Sequence, residues 1–287
     1  MRHTFQQAIA AVQQLPNLPS TTSTVLAYLS DDESDIDKVV QAIAKDQGLV
    51  AKVLQIANSP FFGLSNLVHT IHDAVIVIGF SNLKMIVIAT LMKTERFPGL
   101  VDTIEVQRLF RHGMAVGICA STIARKNRLN SNQLFLTGIL HDVGKLALMA
   151  TYPADYAAVR ALLDDGSLQS TEAEEKIFGF NHAAIGSALC RHWHLPDTIS
   201  AAVAEHHSFE QHHKLSSTSS DHIDISEIIN LADALALSLN LEANPIAAAS
   251  PLSDDRWRRW LGSGEEFSLY LTEIRSAYQK LVSLVSL

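Results

Sequence analysis

The strongest constraint on this chain is the period of its apolar residues. They recur at three- and four-residue spacing behind helix-start residues, and no stretch alternates with period two for long. Such a pattern buries one face of a helix and leaves no strand to build a sheet, so the sequence predicts an all-α fold. Ser34-Asp35-Ile36-Asp37 reads as a capping box ahead of Ile36, Val39, Val40 and Ile43. Asp46 caps a run carrying Leu49, Val50, Val53, Leu54 and Ala57, and Asn58-Ser59-Pro60 stops it before Phe61-Phe62-Gly63. Leu15-Pro16-Asn17-Leu18-Pro19 is extended, because each proline pushes its predecessor out of the α region, and Ser20 or Thr21 can cap the next helix.

Residues 71–92 supply one or two buried helices, and Phe97-Pro98-Gly99 marks a break. The expected organisation is a helical unit over 1–98, a second over 99–242 and a helical extension over 243–287. The second unit should contain helices near 106–125, 134–149, 155–163, 172–178, 182–192, 199–207 and 225–239, with a serine-rich loop at 208–220. Gly113, Ala115, Gly117 and Ala120 are small enough to let another helix approach the first of these. In the extension, Phe267, Leu271, Ile274, Tyr278 and Leu281 recur at helix spacing and should dock on the rest.

Several function classes are disfavoured. The formal charge is −8, and the only basic cluster is Arg256-Trp257-Arg258-Arg259, so binding to a phosphate backbone is not expected. The apolar window 74–92 carries Ser81, Asn82 and Lys84, which suit a buried helix better than a membrane span. The first residues have no apolar signal core, and Cys119 and Cys190 match no paired-cysteine spacing. A cytoplasmic protein without a disulfide or a thiolate metal site is the expectation.

The unusual count is 13 histidines, most of them after residue 100. A His-Asp dipeptide means little alone, since about 0.8 are expected by chance at this composition. His72-Asp73 lies at a helix start, where Asp73 serves as a cap or first-turn residue. His141-Asp142 differs in its company. It sits in the apolar run Gly138-Ile139-Leu140-His141-Asp142-Val143-Gly144-Lys145, and His112, His182, His206, His207 and Asp233 each stand in apolar or small-residue helical segments. Clustering these groups around a divalent cation would satisfy them all, with Asp142 able to bridge two ions through its two oxygens.

Taken in order, these segments resemble the HD-related output domain (HDOD) family of the HD superfamily. The carriers are Leu15 to Pro19, Leu54-Gln55-Ile56-Ala57-Asn58-Ser59-Pro60-Phe61-Phe62, 74–79, Gly138 to Lys145, Phe178-Gly179-Phe180-Asn181-His182, Trp193-His194-Leu195-Pro196, His206-His207 and Ile229-Asn230-Leu231-Ala232-Asp233. The resemblance spans residues 10–240. It implies a bacterial, all-helical signal-transduction output protein acting through protein partners. Many members of that family have lost metal ligands, whereas here His112, His141, Asp142, His182, His206, His207 and Asp233 match the metal positions of the related HD-GYP phosphodiesterases. Lys145 matches their phosphate-side lysine. Ser208-Phe209-Glu210-Gln211 replaces their Gly-Tyr-Pro loop, which argues against cyclic-di-GMP hydrolysis, and Arg108 replaces a glutamate of trinuclear relatives, leaving one or two metals.

Two functions follow from that resemblance. One is a regulatory protein with a retained metal site holding iron, manganese, nickel or zinc. The other is a metal-dependent phosphohydrolase, a phosphodiesterase or nucleotidase, in which Asp142 bridges the ions that activate water and Lys145 steadies a phosphate. Simpler readings stand beside them. The buried histidines and carboxylates can hold helices together by hydrogen bonds alone, His206-His207 can be a solvated helix end, and Lys145 can pair with a local acid. His192 and His194 suit the carbonyls of their own helix end, and residues 256–260 suit either a partner patch or a docking helix.

Overall fold

The computed structural model describes residues 4–15, 20–30, 35–58, 64, 66–80, 83, 87, 104–164, 166, 168–207, 225–239, 241 and 256–285, and among them every regular element is a helix. The expectations for Pro16 to Pro19, Ser34, Ser59 to Gly63, the break at Phe97-Pro98-Gly99, the loop 208–220 and the separators near Asn244 and Ser250 lie outside the described residues.

Among the residues described up to Phe80 there are five helices: α1 (Phe5–Val12), α2 (Ser20–Ser30), α3 (Ile36–Ile43), α4 (Gln47–Ala57) and α5 (Ile71–Ile78). Local chemistry starts most of them. Thr4 and Gln7 form a reciprocal capping box, Asp35 accepts from the Asp37 N–H and Asp46 from the Leu49 N–H. Thr70 caps α5, and Asp73 accepts from its hydroxyl at 2.6 Å, so the first His-Asp pair belongs to a helix start.

The longest helix is α6 (Ile104–Lys126), and the rest of the second half is built around it. It is followed by α7 (Ser131–Leu140), α8 (Val143–Thr151), α9 (Pro153–Asp164), α10 (Ser170–Phe178), α11 (His182–His192), α12 (Asp197–Glu205), α13 (Ile225–Ser238), α14 (Arg256–Leu261) and α15 (Glu265–Val285). Helix α6 packs on α7, α13, α14 and α15, while α11 packs on α8 and α12. Small residues permit the first of these crossings, α6 on α7. A Cβ on Gly138 of α7 would lie 2.7 Å from the Gly117 Cα of α6, and one on Gly113 would lie 2.7 Å from the Ile139 carbonyl oxygen. The small-residue stripe of α6 therefore serves the approach of α7.

One expectation fails in an informative place. Residues 134–149 do not form a single helix: the chain turns at His141-Asp142, and Asp142 (φ −99°, ψ 8°) becomes the N-cap residue of α8. The apolar run Ser131–Thr151 is long and apolar enough to cross a membrane, but it is broken here and mostly buried within the protein. His192 also differs from expectation. Its Nε2 lies 3.0 Å from the Leu15 carbonyl oxygen, tying α11 to the segment after α1 rather than to its own helix end. Phe5 and Phe180 meet across the same seam with ring centroids 5.6 Å apart.

The C-terminal helices dock as their spacing predicts. Ile274, Tyr278 and Leu281 are buried, Arg125 and Lys126 at the end of α6 pair with Glu273 and Glu266, and Lys126 lies over the Tyr270 ring. Trp260 is also buried and points its indole N–H at Glu227 of α13, which fits the docking reading of residues 256–260.

Candidate metal centre

Seven sequence-selected residues converge from five places in the chain. His112 comes from α6, His141 and Asp142 from the α7–α8 turn, His182 from the first position of α11, His206 and His207 from the turn after α12, and Asp233 from α13. Each position has a local cause. Asn181 accepts from the Ala183 and Ala184 N–H groups at 3.1 and 3.3 Å, which starts α11 with His182 as its first residue. The α7–α8 turn aims two adjacent side chains at one point, where a continuous helix would splay them by about 100°.

The geometry falls into two groups of donors. Asp142, His182, His206 and His207 form one, and His112, His141 and Asp233 the other; within each group the donor atoms lie within 4.8 Å of one another. Asp142 stands between them. Its Oδ1 is 3.0 Å from His182 Nε2 and 3.9 Å from His206 Nε2, while its Oδ2 is 3.5 Å from His141 Nε2 and 3.9 Å from His112 Nε2. Asp233 Oδ1 is 3.0 Å from His112 Nε2, and the Nε2 atoms of His207 and His182 are 3.1 Å apart. Two ligands at about 2.1 Å from one ion stand about 3 to 3.5 Å apart at octahedral or tetrahedral angles, so these separations suit metal coordination.

The imidazoles are held ready for that role. His141 Nδ1 donates to the Gly138 carbonyl at 2.7 Å, and His206 Nδ1 to the Val203 carbonyl at 2.8 Å. His182 Nδ1 donates to Glu174 Oε2 at 2.6 Å, and the His182 backbone N–H donates to the same oxygen at 2.7 Å. With each Nδ1–H spent outward, each Nε2 lone pair faces the centre. His206 Nε2, Asp142 Oδ1 and Asp233 Oδ1 are buried without a hydrogen bond. Orphaned buried atoms of this kind are costly, and a cation would satisfy all three, so the donor set fits a metal.

Charge follows the same logic. Burial pushes the Asp142 carboxyl up, but Lys145, His141 and His182 outweigh it and hold it well below the usual range. Burial likewise raises Asp233, and His112 overrides it downward. Burial, then neighbouring imidazoles, lower His206 strongly and bring His207 down to about 4. Burial also lowers His141. Burial opposes charging His182, yet the Glu174 carboxylate and then Asp142 raise it. His141, His206 and His207 are thus held toward the neutral imidazole, whose Nε2 lone pair is the form metal binding requires.

Lys145 donates to Asp142 Oδ2 at 2.7 Å, one turn into α8. It also lines a cavity of about 420 Å³ that opens over both donor groups and reaches Arg108, Tyr156, Arg160 and Ser170. Glu174 is the participant that the sequence reading missed. It is fully buried, among Glu172 and Glu175 in a run that looks solvated. The usable signal was positional: Ala173, Glu174, Ile177 and Phe178 share one helix face, and a carboxylate on an apolar stripe needs a partner.

The HDOD domain family model matches residues 15–209. An "Uncharacterized protein" of Treponema pallidum (strain Nichols) is 22% identical over 199 residues, covering 69% of this chain and 38% of that protein, so the chain spans well under half of the curated relative's length. Among solved structures, an HDOD domain protein from Geobacter sulfurreducens is 25% identical with a TM-score of 0.69, covering 97% of this chain and 99% of that one. A "Putative phosphohydrolase" from Shewanella amazonensis SB2B is 20% identical with a TM-score of 0.69, covering 97% of both chains. A "Putative signal transduction protein" from Marinobacter aquaeolei VT8 is 21% identical with a TM-score of 0.70, covering 96% of this chain and 60% of that one.

Proposed function

This chain belongs to the HDOD domain family, and from that premise we propose that it is a regulatory protein whose buried centre is a metal-dependent phosphohydrolase site. The observation that carries the reading is the cavity of about 420 Å³ over the donors. A structural metal site is closed by its protein ligands, whereas a catalytic one keeps an approach for substrate. Asp142, His182, His206 and His207 would hold one ion, and His112, His141 and Asp233 a second, with Asp142 shared. The mixed imidazole and carboxylate set suits iron, manganese, nickel or zinc. Bound there, two such ions would supply Lewis acidity and a water of lowered pKa.

The chain's own residues do the rest. Glu174 fixes the tautomer and ring plane of His182 through its 2.6 Å hydrogen bond. The backbone carbonyls of Gly138 and Val203 do the same for His141 and His206. Lys145, raised in pKa because Asp142 outweighs its burial, remains an ammonium at neutral pH. Turned from Asp142 toward the cavity, it orients a phosphate-bearing small molecule. Signalling proteins are the expected partners, and the acidic balance of the chain argues against nucleic acid.

One observation favours a second reading. The Lys145 ammonium already pairs with Asp142 Oδ2, the oxygen on the side of His112 and His141. If that pair persists, the site holds one ion and acts as a regulatory or structural centre, with output through protein partners alone. Elemental analysis of protein purified without chelators, followed by turnover assays with phosphomonoesters and phosphodiesters, separates the two. Two ions per chain with turnover are expected. One ion without turnover establishes the second reading, and metal-free protein after reconstitution with each of the four metals sinks both.

A further inference from the structure

Among the described residues, the charged side chains around the cavity pair off with a single exception. Arg160 of α9 pairs with Glu105 of α6, Lys145 with Asp142, and His112 with Asp233. Arg108 also lines the cavity, yet among the described residues it makes no hydrogen bond or ion pair. It lies four residues before His112 on α6, which places both on the same helix face, Arg108 exposed and His112 half-buried. An unspent guanidinium is a fork of donors matched to phosphate oxygens. The hydroxyl-bearing Ser170 and Thr171 at the start of α10 line the same cavity.

We propose that Arg108 is a specificity-determining residue that makes this centre a phosphomonoester site, taking a compact organic phosphate with a terminal dianionic group. The inference rests on the metal-site reading above. A phosphomonoester has three non-bridging oxygens and carries a charge of about −1.5 to −2 at neutral pH. A diester has two such oxygens and one charge. With two oxygens turned toward the two donor groups, the third oxygen of a monoester points to the mouth and meets Arg108. In a diester that direction is taken by the second organic substituent, which carries no charge and leaves the guanidinium without a partner. The apolar side chains of Leu109, Met149 and Leu237 line the cavity too and receive the organic group of a monoester. The cavity volume, near the small end of ordinary ligand pockets, fits one compact substituent better than two.

The test uses the full chain after metal reconstitution, in wild-type, Arg108→Ala and Arg108→Lys forms, each with its metal content measured. Orthophosphate binding is followed by calorimetry, and turnover with p-nitrophenyl phosphate and bis(p-nitrophenyl) phosphate. Arg108→Ala should leave metal content unchanged, weaken orthophosphate about 10- to 100-fold, as loss of a charge-assisted hydrogen bond does, and lower monoester turnover with it. Arg108→Lys should recover part of the orthophosphate affinity. Unchanged orthophosphate affinity in Arg108→Ala, or wild-type preference for the diester, overturns the proposal while leaving the metal site standing. Wild-type protein that takes up no metal fails the earlier reading instead. In that case orthophosphate binding that still depends on Arg108 preserves the anion subsite, and its absence ends both.

Discussion

At the scale of single residues, the centre depends on groups that never reach the cavity. Glu174 is the clearest, because one oxygen accepts both the side-chain and backbone N–H of His182 while the other receives the Ser170 hydroxyl at 3.3 Å. Burial raises the Glu174 carboxyl, and His182 outweighs it, so the pKa is lowered. Replacing it as Glu174→Gln keeps the volume and removes the charge. Metal affinity, measured by competition with a chelator of known strength, should fall about 10- to 100-fold, as for other partners of a ligating histidine. An unchanged affinity would reduce Glu174 to a helix-packing residue. The seven donor residues were legible in the sequence because polar groups stood in apolar segments in a recognisable order. Glu174 was not, because its burial depends on how α10 packs on its neighbours, and Glu172 and Glu175 beside it present the same letter to the reader.

At the scale of elements, the α7–α8 turn is what sequence periodicity could not show. The apolar residues on both sides continue as though one helix ran through, so the break leaves no trace in the 3.6-residue period. Its necessity is visible in the crossing of α8 and α11. A Cβ at Gly144 would meet the His182 carbonyl oxygen and lie 2.6 Å from the Gly186 backbone nitrogen. Both obstacles are backbone, so no side chain can swing aside. Gly144→Ala should destabilise the protein by about 1–3 kcal/mol or more and push His182 away from Asp142, lowering metal occupancy together with the urea midpoint. A variant with wild-type stability and metal content would mean that α8 and α11 have more freedom than this contact allows. The small-residue stripe of α6, by contrast, was readable, since Gly113 and Gly117 at helical spacing have few uses other than close packing.

At the scale of the whole molecule, the buried imidazoles set the acid limit of the metal-free protein. His141, His206 and His207 have lowered pKa values in the folded state, chiefly through burial. The unfolded chain therefore takes up protons near pH 6.5, before the folded one does, and stability falls as pH drops below that value. The stability that these groups contribute is fully present above pH 6.5 and is lost on acidification, for His207 toward about pH 4. His182 has the opposite sign and favours the folded state while charged, but it is one group against three. Urea midpoints of metal-free protein should decline from pH 7 to pH 4.5, and saturating metal should flatten the upper part of that decline. A profile flat across this range would show that the histidines are accessible to protons in the native state. The all-helical architecture was readable at this scale from periodicity alone. The seam that joins α1 to α11 was not, because it is made by pairs such as Phe5 with Phe180 that lie far apart in sequence.

Helix α6 is buried at every residue from Gly113 to Ala124, with His112 at one end of that stretch and the pairs to α15 at the other. A rod so enclosed has no local route to open. Its amide hydrogens trade with solvent only when the surrounding helices come apart together, which places the centre and the C-terminal clamp in one cooperative unit of unfolding.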